Sequence, residues 1–175
     1  NYDRWGFRIQ GHPLASSAEA PSVERYAVTP DYFHVMRIPL KRGRLITAAD
    51  RTGAPLVLLV SETTARTLWA GPDPIGSRVR IGGPDGPWRT VVGIVGDVRH
   101  YSLSHPPTAQ FYMPQAQRTD SFILLVVRST VEAAPLLAGI RRENGALAPE
   151  VPLYGVATLD ERVSRSVATR RFLLL

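Results

Sequence analysis

The sequence predicts an α+β fold. Strand-like and helix-like segments follow one another along the 175 residues without strict alternation, which disfavours a doubly wound parallel sheet. A composition of 44% hydrophobic and 21% charged residues is that of a globular chain, since disorder needs fewer apolar residues and a stronger charge imbalance. A chain of this size buries roughly 70% of the surface its unfolded form exposes, enough for one large domain or two small lobes.

The elements read as follows. Trp5 to Ile9 alternates large and polar residues like an edge strand, a loop runs from His12-Pro13 through Pro21, and Val23 to Val28 alternates again. Thr29-Pro30-Asp31 starts a helix, with Thr29 as cap and Pro30 at the first position, where its missing N–H costs nothing. Tyr32, Phe33, Val35 and Met36 supply a turn or two; Pro39-Leu40 breaks the helix and Gly43 marks a turn. Thr47 to Asp50 matches a capping box with Asp in place of Glu.

Leu56 to Val60 is a continuous apolar run, as in a strand buried on both faces. Ser61 caps a helix whose Thr64, Ala65, Leu68 and Trp69 share one face. Gly71-Pro72-Asp73-Pro74 ends it. Val79 to Ile81 is strand-like, Gly82 to Pro87 is a loop or hairpin tip, and Trp88 to Val98 is the next strand, with Gly93 and Gly96 as bulges or points of close backbone approach. Ala109 to Met113 and the wholly apolar Phe122 to Val127 read as further strands. Val131 to about Leu147 is helical provided Pro135 lies in its first turn. Val151 to Val156 reads as a strand, and Thr158 to Glu161 is a second capping box that opens a helix running to the C-terminus.

The net charge is +6, carried by 20 arginines and the single Lys41. Such a bias suggests nucleic acid or an anionic surface, yet the arginines spread from Arg4 to Arg171 and form no stripe, so no nucleic-acid role is expected. There is no cysteine, which excludes disulfides, thiolate metal sites and a cysteine nucleophile. No signal peptide opens the chain and no run of about 18 apolar residues occurs within it. Arg170-Arg171-Phe172-Leu173-Leu174-Leu175 stops inside a rising apolar run, and residues 171–175 are read as the start of a transmembrane helix.

No pattern of residues points to chemistry. Gly71 to Arg78 superficially matches a phosphate-binding loop, but Ser77 stands where the lysine should be, and a helix leads into the loop instead of a strand. It reads as a rigid helix-to-strand turn. His100 and His105 are five apart, a spacing that does not share a helical face, and Asp97 could join them only through a turn. His12 and His34 have no local partners of a ligand type. No GxSxG elbow occurs. Asp160 and Glu161 suit the positive end of a helix dipole, and Glu143 and Glu150 are paired with nothing by any sequence rule. No catalytic, cofactor-binding or metal-binding residue is therefore assigned, and no enzyme activity is expected. A contact surface is a better expectation: the tip residues Gly82, Gly83, Pro84 and Asp85 together with Trp88, although Trp88 reads equally as core.

Three stretches taken together resemble one family. They are Tyr26 to Phe33 running into Ile38 to Arg44; Val60 to Trp69 followed by Asp73-Pro74-Ile75-Gly76 and Val79 to Ile81; and Val91 to His100. In this order and spacing they are similar to the MacB-like periplasmic core domain of FtsX-like ABC transporter permeases. Phe122 to Arg128, the helix from Val131, Val151 to Thr158 and the Arg170-Arg171-Phe172-Leu173 approach to a membrane continue the likeness. The family's domain opens earlier, with a strand, helix and strand before the Trp5 region, so residues 1–175 are expected to be a fragment of one extracytoplasmic domain.

The resemblance implies two lobes: a βαβ-type porter lobe from about 1–45 plus 107–170, and an inserted, mostly β lobe over about 46–106. It implies no catalytic centre and no cofactor. The role would be to couple ATP-driven motion of membrane helices to export or to a periplasmic partner. The expected partners are transmembrane helices of the same chain, an ATP-binding ABC subunit on the cytoplasmic side and a periplasmic protein or exported substrate, with a homodimer left open. The expected place is the inner membrane, with this domain on its outer side. The alternative is a soluble binding module for a small ligand or an anionic polymer.

Overall fold

The computed structural model describes residues 3–12, 19–99, 106–118, 120 and 122–164. The chain separates into two compact units, Asn1–Val126 and Val127–Leu175.

The first unit is built on seven strands: β1 (Arg4–Ile9), β2 (Ser22–Val28), β3 (Leu40–Gly43), β4 (Val57–Ser61), β5 (Arg78–Ile81), β6 (Trp88–Val95) and β7 (Gln110–Pro114). Their order is β3-β6-β4-β7-β2-β1-β5, and β5 also pairs with β6. That last pairing closes six strands into a ring, with β3 attached outside it. Closure leaves few open edges, which removes the unpaired backbone groups that otherwise invite aggregation. The pairing is mixed: β2 with β7 and β4 with β6 are parallel, the others antiparallel. The architecture is therefore mixed α and β around one sheet. Strands from all three stretches, 1–45, 46–106 and beyond 107, share that sheet.

β6 serves two partners on one edge. Its first half, Trp88 to Thr90, pairs with β5, and its second half, Gly93 to Val95, pairs with β3. A bulge at Val92 separates the halves: Val91 faces Leu58 and Gly93 faces Leu59, leaving Val92 unmatched. The Val92 carbonyl instead accepts the Arg44 N–H at 2.9 Å. Gly93 is required here because a Cβ would lie 2.3 Å from the Arg44 carbonyl oxygen. The close approach expected at Gly93 is thus present.

Strand alternation divides the interior into two clusters. Phe7, Val23, Leu58, Val60, Val79, Val91, Phe111 and Met113 point to one side, with Trp69 packed among them. Leu59, Tyr112 and Val95 point to the other, with Val28, Phe33 and Ile38. Every residue of β4 is buried, as its unbroken apolar run predicts. Helix α1 (Tyr32–Met36) contributes Phe33 to the second cluster, and α2 (Glu62–Leu68) lays Ala65 and Leu68 on the first. Ser61 caps α2 as expected, its Oγ accepting the Thr64 N–H at 3.2 Å.

Several expectations are corrected. β1 is not an edge strand, since it pairs with β2 on one side and β5 on the other. The cap residue of α1 is Asp31, not Thr29, and Thr29 serves through its carbonyl, which accepts the Tyr32 N–H at 3.1 Å. Leu40 to Gly43 is a strand and not merely a break. Thr47 to Asp50 makes the capping-box bond from the Thr47 N–H to Asp50 Oδ2 at 2.9 Å but stops at a turn. Phe122 to Val127 forms no strand: no described strand pairs with it, and Phe122, Ile123, Leu124 and Leu125 are each at least 60% exposed.

The second unit holds α3 (Ala133–Leu147), with Pro135 in its first turn as required. Asn144 ties the chain beyond the helix by donating from Nδ2 to the Val151 carbonyl at 2.8 Å. Val151 to Val156 forms no strand among the described residues, and Gly155 within it has φ +65°. The second capping box is complete. Thr158 N–H donates to Glu161 Oε2 at 3.0 Å, and Glu161 N–H donates to Thr158 Oγ1 at 3.1 Å, opening a helical segment over 159–164. The remainder of the expected C-terminal helix and the apolar residues 171–175 lie outside the described residues. No helix among the described residues is long and apolar enough to cross a membrane.

Candidate functional site

The β5–β6 hairpin carries the expected contact residues. Its strands pair Arg78 with Thr90, Val79 with Arg89 and Arg80 with Trp88, and residues 82–87 form the connection. Val79 points into the core, so Arg78 and Arg80, each one residue away, project from the outer face. Trp88 lies on that same face. It is half-buried and belongs neither to the core nor to open solvent, because arginines cover it. The Arg80 guanidinium sits 4.3 Å from the Trp88 ring centroid and that of Arg78 at 5.9 Å. Arg8 of β1 pairs with Arg80 across the next strand and extends the row to three strands.

The base of the tip is fixed to the sheet. Gly82 donates its N–H to the Gly6 carbonyl at 2.8 Å, and its own carbonyl accepts from the Arg8 guanidinium. Arg80 reaches the Pro84 carbonyl. Gly82 has φ +79°, and a Cβ there would lie 3.0 Å from the Trp5 ring, so no other residue fits without displacement. Beyond this base Gly83, Pro84 and Asp85 are exposed. Two guanidinia are thereby held in place by carbonyl oxygens and by an aromatic ring. Among the described residues none of Arg8, Arg78 and Arg80 has a carboxylate partner. The Arg80 Nε is buried without a hydrogen-bond partner.

A second tryptophan is arranged differently. Trp5 is flanked by Arg25 at 5.7 Å and Arg118 at 5.2 Å. Arg25 donates to Asp3 Oδ2 at 2.7 Å and forks onto Asp120 at 3.1 and 3.2 Å, and Arg118 donates to Asp120 at 3.1 Å. Burial pushes the Asp120 carboxyl up, but the hydrogen bonds from Arg25 and Arg118 more than offset it and hold the group below its usual range.

Several of the remaining residues weighed for chemistry have structural employment. Asp97 accepts the N–H and the hydroxyl of Thr63, both at 2.8 Å, at the start of α2. Gly71 to Ser77 is the expected helix-to-strand turn: Asp73 accepts the Ile75 N–H at 3.1 Å, and Ser77 Oγ accepts from Trp69 Nε1 at 3.1 Å. His12 and His34 are exposed; His100 and His105 lie outside the described residues. Glu143 pairs with the adjacent Arg142, and Asp160 is exposed on the helical segment that Glu161 helps to open.

One polar cluster was not anticipated. Gln110, fully buried, donates from Nε2 to the Val98 carbonyl at 2.9 Å, and its Oε1 accepts from the Tyr112 hydroxyl at 3.0 Å. The buried Glu24 accepts from the Tyr26 hydroxyl at 3.2 Å. Burial raises the Tyr112 phenol well above its ordinary range, and it pushes Tyr32, which packs beside it, up to about 12. The cluster stitches β7 to β2 and to the segment after β6. No group of three or more His, Cys, Asp or Glu side chains among the described residues could hold a metal ion.

The sequence pointed to Trp88 and the tip but missed Arg8, Arg78 and Arg80. The Arg-Val-Arg alternation and the hairpin were signal enough for Arg78 and Arg80, since cross-strand neighbours interact as pairs. Arg8 comes from a distant strand and left no local signal.

Known proteins agree with this fold. Residues 8–143 match the MacB-like periplasmic core domain family. No curated protein matches the sequence. Among solved structures, the chain is similar to the periplasmic region of MacB from Actinobacillus actinomycetemcomitans, with 17% identity and a TM-score of 0.60 over 82% of this chain and 63% of that one. A domain of a putative permease protein from Porphyromonas gingivalis gives 16% identity and a TM-score of 0.56, covering 83% of this chain and 60% of that one. The extracellular domain of the ABC-type transporter YknZ from Gram-positive bacteria gives 16% identity and a TM-score of 0.45 over 65% and 54%. The chain thus spans about three-fifths of the solved domains of the first two matches. With a match over more than three-quarters of its length, the chain belongs to the MacB-like periplasmic core domain family.

Proposed function

We propose that this chain is the extracytoplasmic domain of a membrane-anchored ABC-type permease and acts as a coupling element without chemistry of its own. In this reading it passes ATP-driven motion of the membrane helices, powered by an ABC subunit on the cytoplasmic side, to export or to a periplasmic partner. The family match over residues 8–143 carries the proposal. The architecture suits it. A closed ring of strands transmits force as one body, since packed interiors deform little. The buried carboxylates of Glu24 and Asp50 are each held by neighbouring side chains, as expected of structural groups. The outward-facing β5–β6 hairpin, with Gly82, Gly83, Pro84, Asp85 and Trp88, is the contact we assign to the partner.

The test is Trp88→Ala in the parent permease assembled with its ATPase, following ATP hydrolysis in membranes. The reading expects a folded, assembled permease whose hydrolysis no longer responds to the partner or substrate. Unaltered coupling in the folded variant would refute the hairpin assignment, and failure of the variant to fold would show that Trp88 supports the core instead.

A further inference from the structure

Arginines of this protein differ in whether a carboxylate answers them, and three that lack one among the described residues are gathered in one place. Arg25, Arg42, Arg44, Arg118 and Arg142 each meet a carboxylate within the chain. Arg8, Arg78 and Arg80 meet none among the described residues, although they share one face of three adjacent strands. Like charges gathered on one face repel and weaken the fold slightly, so their arrangement calls for a compensating anion. The face is also ordered in advance. Arg8 and Arg80 are held by the Gly82 and Pro84 carbonyls, Arg80 lies over Trp88, and the Arg80 Nε is buried with no acceptor. The single carboxylate of the tip, Asp85, is exposed and forms no ion pair among the described residues.

We infer that the Arg8–Arg78–Arg80–Trp88 face binds an acidic protein surface, one that presents clustered Asp or Glu side chains. This rests on the coupling reading above and names the chemistry of the partner that reading requires. Guanidinium groups held in fixed orientation present their remaining N–H groups to carboxylates, and little side-chain freedom remains to be lost on binding. A tryptophan flanked by arginines is the kind of anchor from which protein interfaces draw most of their energy. An anionic bilayer would be attracted by loosely held lysines equally well and would not require this fixed geometry.

The test uses the 175-residue chain and a fluorescein-labelled hexaglutamate peptide, followed by fluorescence anisotropy at about 50 mM salt, where screening is modest. We expect binding that weakens as salt is added, and that falls about tenfold in Arg78→Gln/Arg80→Gln, given the loss of two charge-assisted contacts. Arg118→Gln, at the Trp5 cluster, should bind as the wild type does. Should the double variant fail to fold by circular dichroism, Arg78→Gln alone decides, because the one described contact of its side chain is with the Trp88 ring. No binding by the wild type, an equal loss in Arg118→Gln, or phosphatidylglycerol vesicles binding to this face unhindered by the peptide would overturn the inference. If the peptide fails to bind while Trp88→Ala still uncouples ATP hydrolysis, the acidic partner is discarded and the coupling role stands.

Discussion

Trp5 on β1 and Trp88 on β6 lie on strands that both pair with β5, and each is stacked by two arginines, yet the two clusters are electrically opposite. At Trp5 the guanidinia of Arg25 and Arg118 are answered by Asp3 and Asp120, so the site is neutral and complete within the chain. At Trp88 the guanidinia of Arg78 and Arg80, joined by Arg8, have no carboxylate among the described residues. The same ring-and-guanidinium motif therefore does two jobs. Where counter-charges are supplied from sequence-distant segments, it fastens the fold. Where they are withheld, it leaves a cationic face for something else to neutralise.

The largest effect separating the clusters should be on stability. Arg25→Gln is expected to lower the free energy of unfolding by about 2–3 kcal/mol in urea titrations, since it leaves the partly buried Asp120 with Arg118 alone. Only Asp120 is counted in that figure: the Asp3 side chain is 46% exposed, and its share is screened by water. A cost below about 1 kcal/mol would show that the Trp5 cluster is not a fastening.

The pH dependence sharpens the contrast. Asp120 is held below its ordinary value of 3.8 in the folded chain. A lowered carboxyl contributes stability in full above that ordinary value and loses it as pH falls through the folded one. The gap between wild type and Arg25→Gln should accordingly narrow in urea titrations carried below pH 3.8.

The smallest effect belongs to Trp88. Arg80→Gln should cost only about 0.5–1 kcal/mol, the worth of a partly exposed cation–π contact, and by the same amount at neutral and acid pH because no carboxylate is involved. A cost that vanishes in acid would reveal an acidic partner for Arg80 within the chain.

Local chemistry was legible in the sequence; long-range pairing was not. Ser61 as a cap, the doubly buried β4, Pro135 in the first turn of α3, the tip after Ile81 and the constraint at Gly93 each follow from residues adjacent in the chain. β3 was missed because Leu-Lys-Arg-Gly is exposed throughout and shows no alternation; its strand character comes from β6. Phe122 to Val127 misled in the opposite direction. Its apolar composition favours a strand, but a strand also needs backbone pairing, and no described strand pairs with it. β1 looked like an edge because its second neighbour, β5, lies some seventy residues on. The site was legible to the same extent. Trp88 and the tip could be singled out from adjacent residues, whereas the uncompensated charge beside them emerged only once Arg8 was placed next to Arg80.

The coupling role is tested most directly at the tip itself. These 175 residues contain no cysteine, so Asp85→Cys, in a parent permease whose other cysteines are replaced, provides a single attachment point for an environment-sensitive dye. In the parent permease assembled with its ATPase, the account predicts that dye emission changes when ATP is added, as the hairpin moves against its partner. Emission indifferent to ATP, in a complex shown to hydrolyse it, would contradict the assignment of this hairpin to coupling.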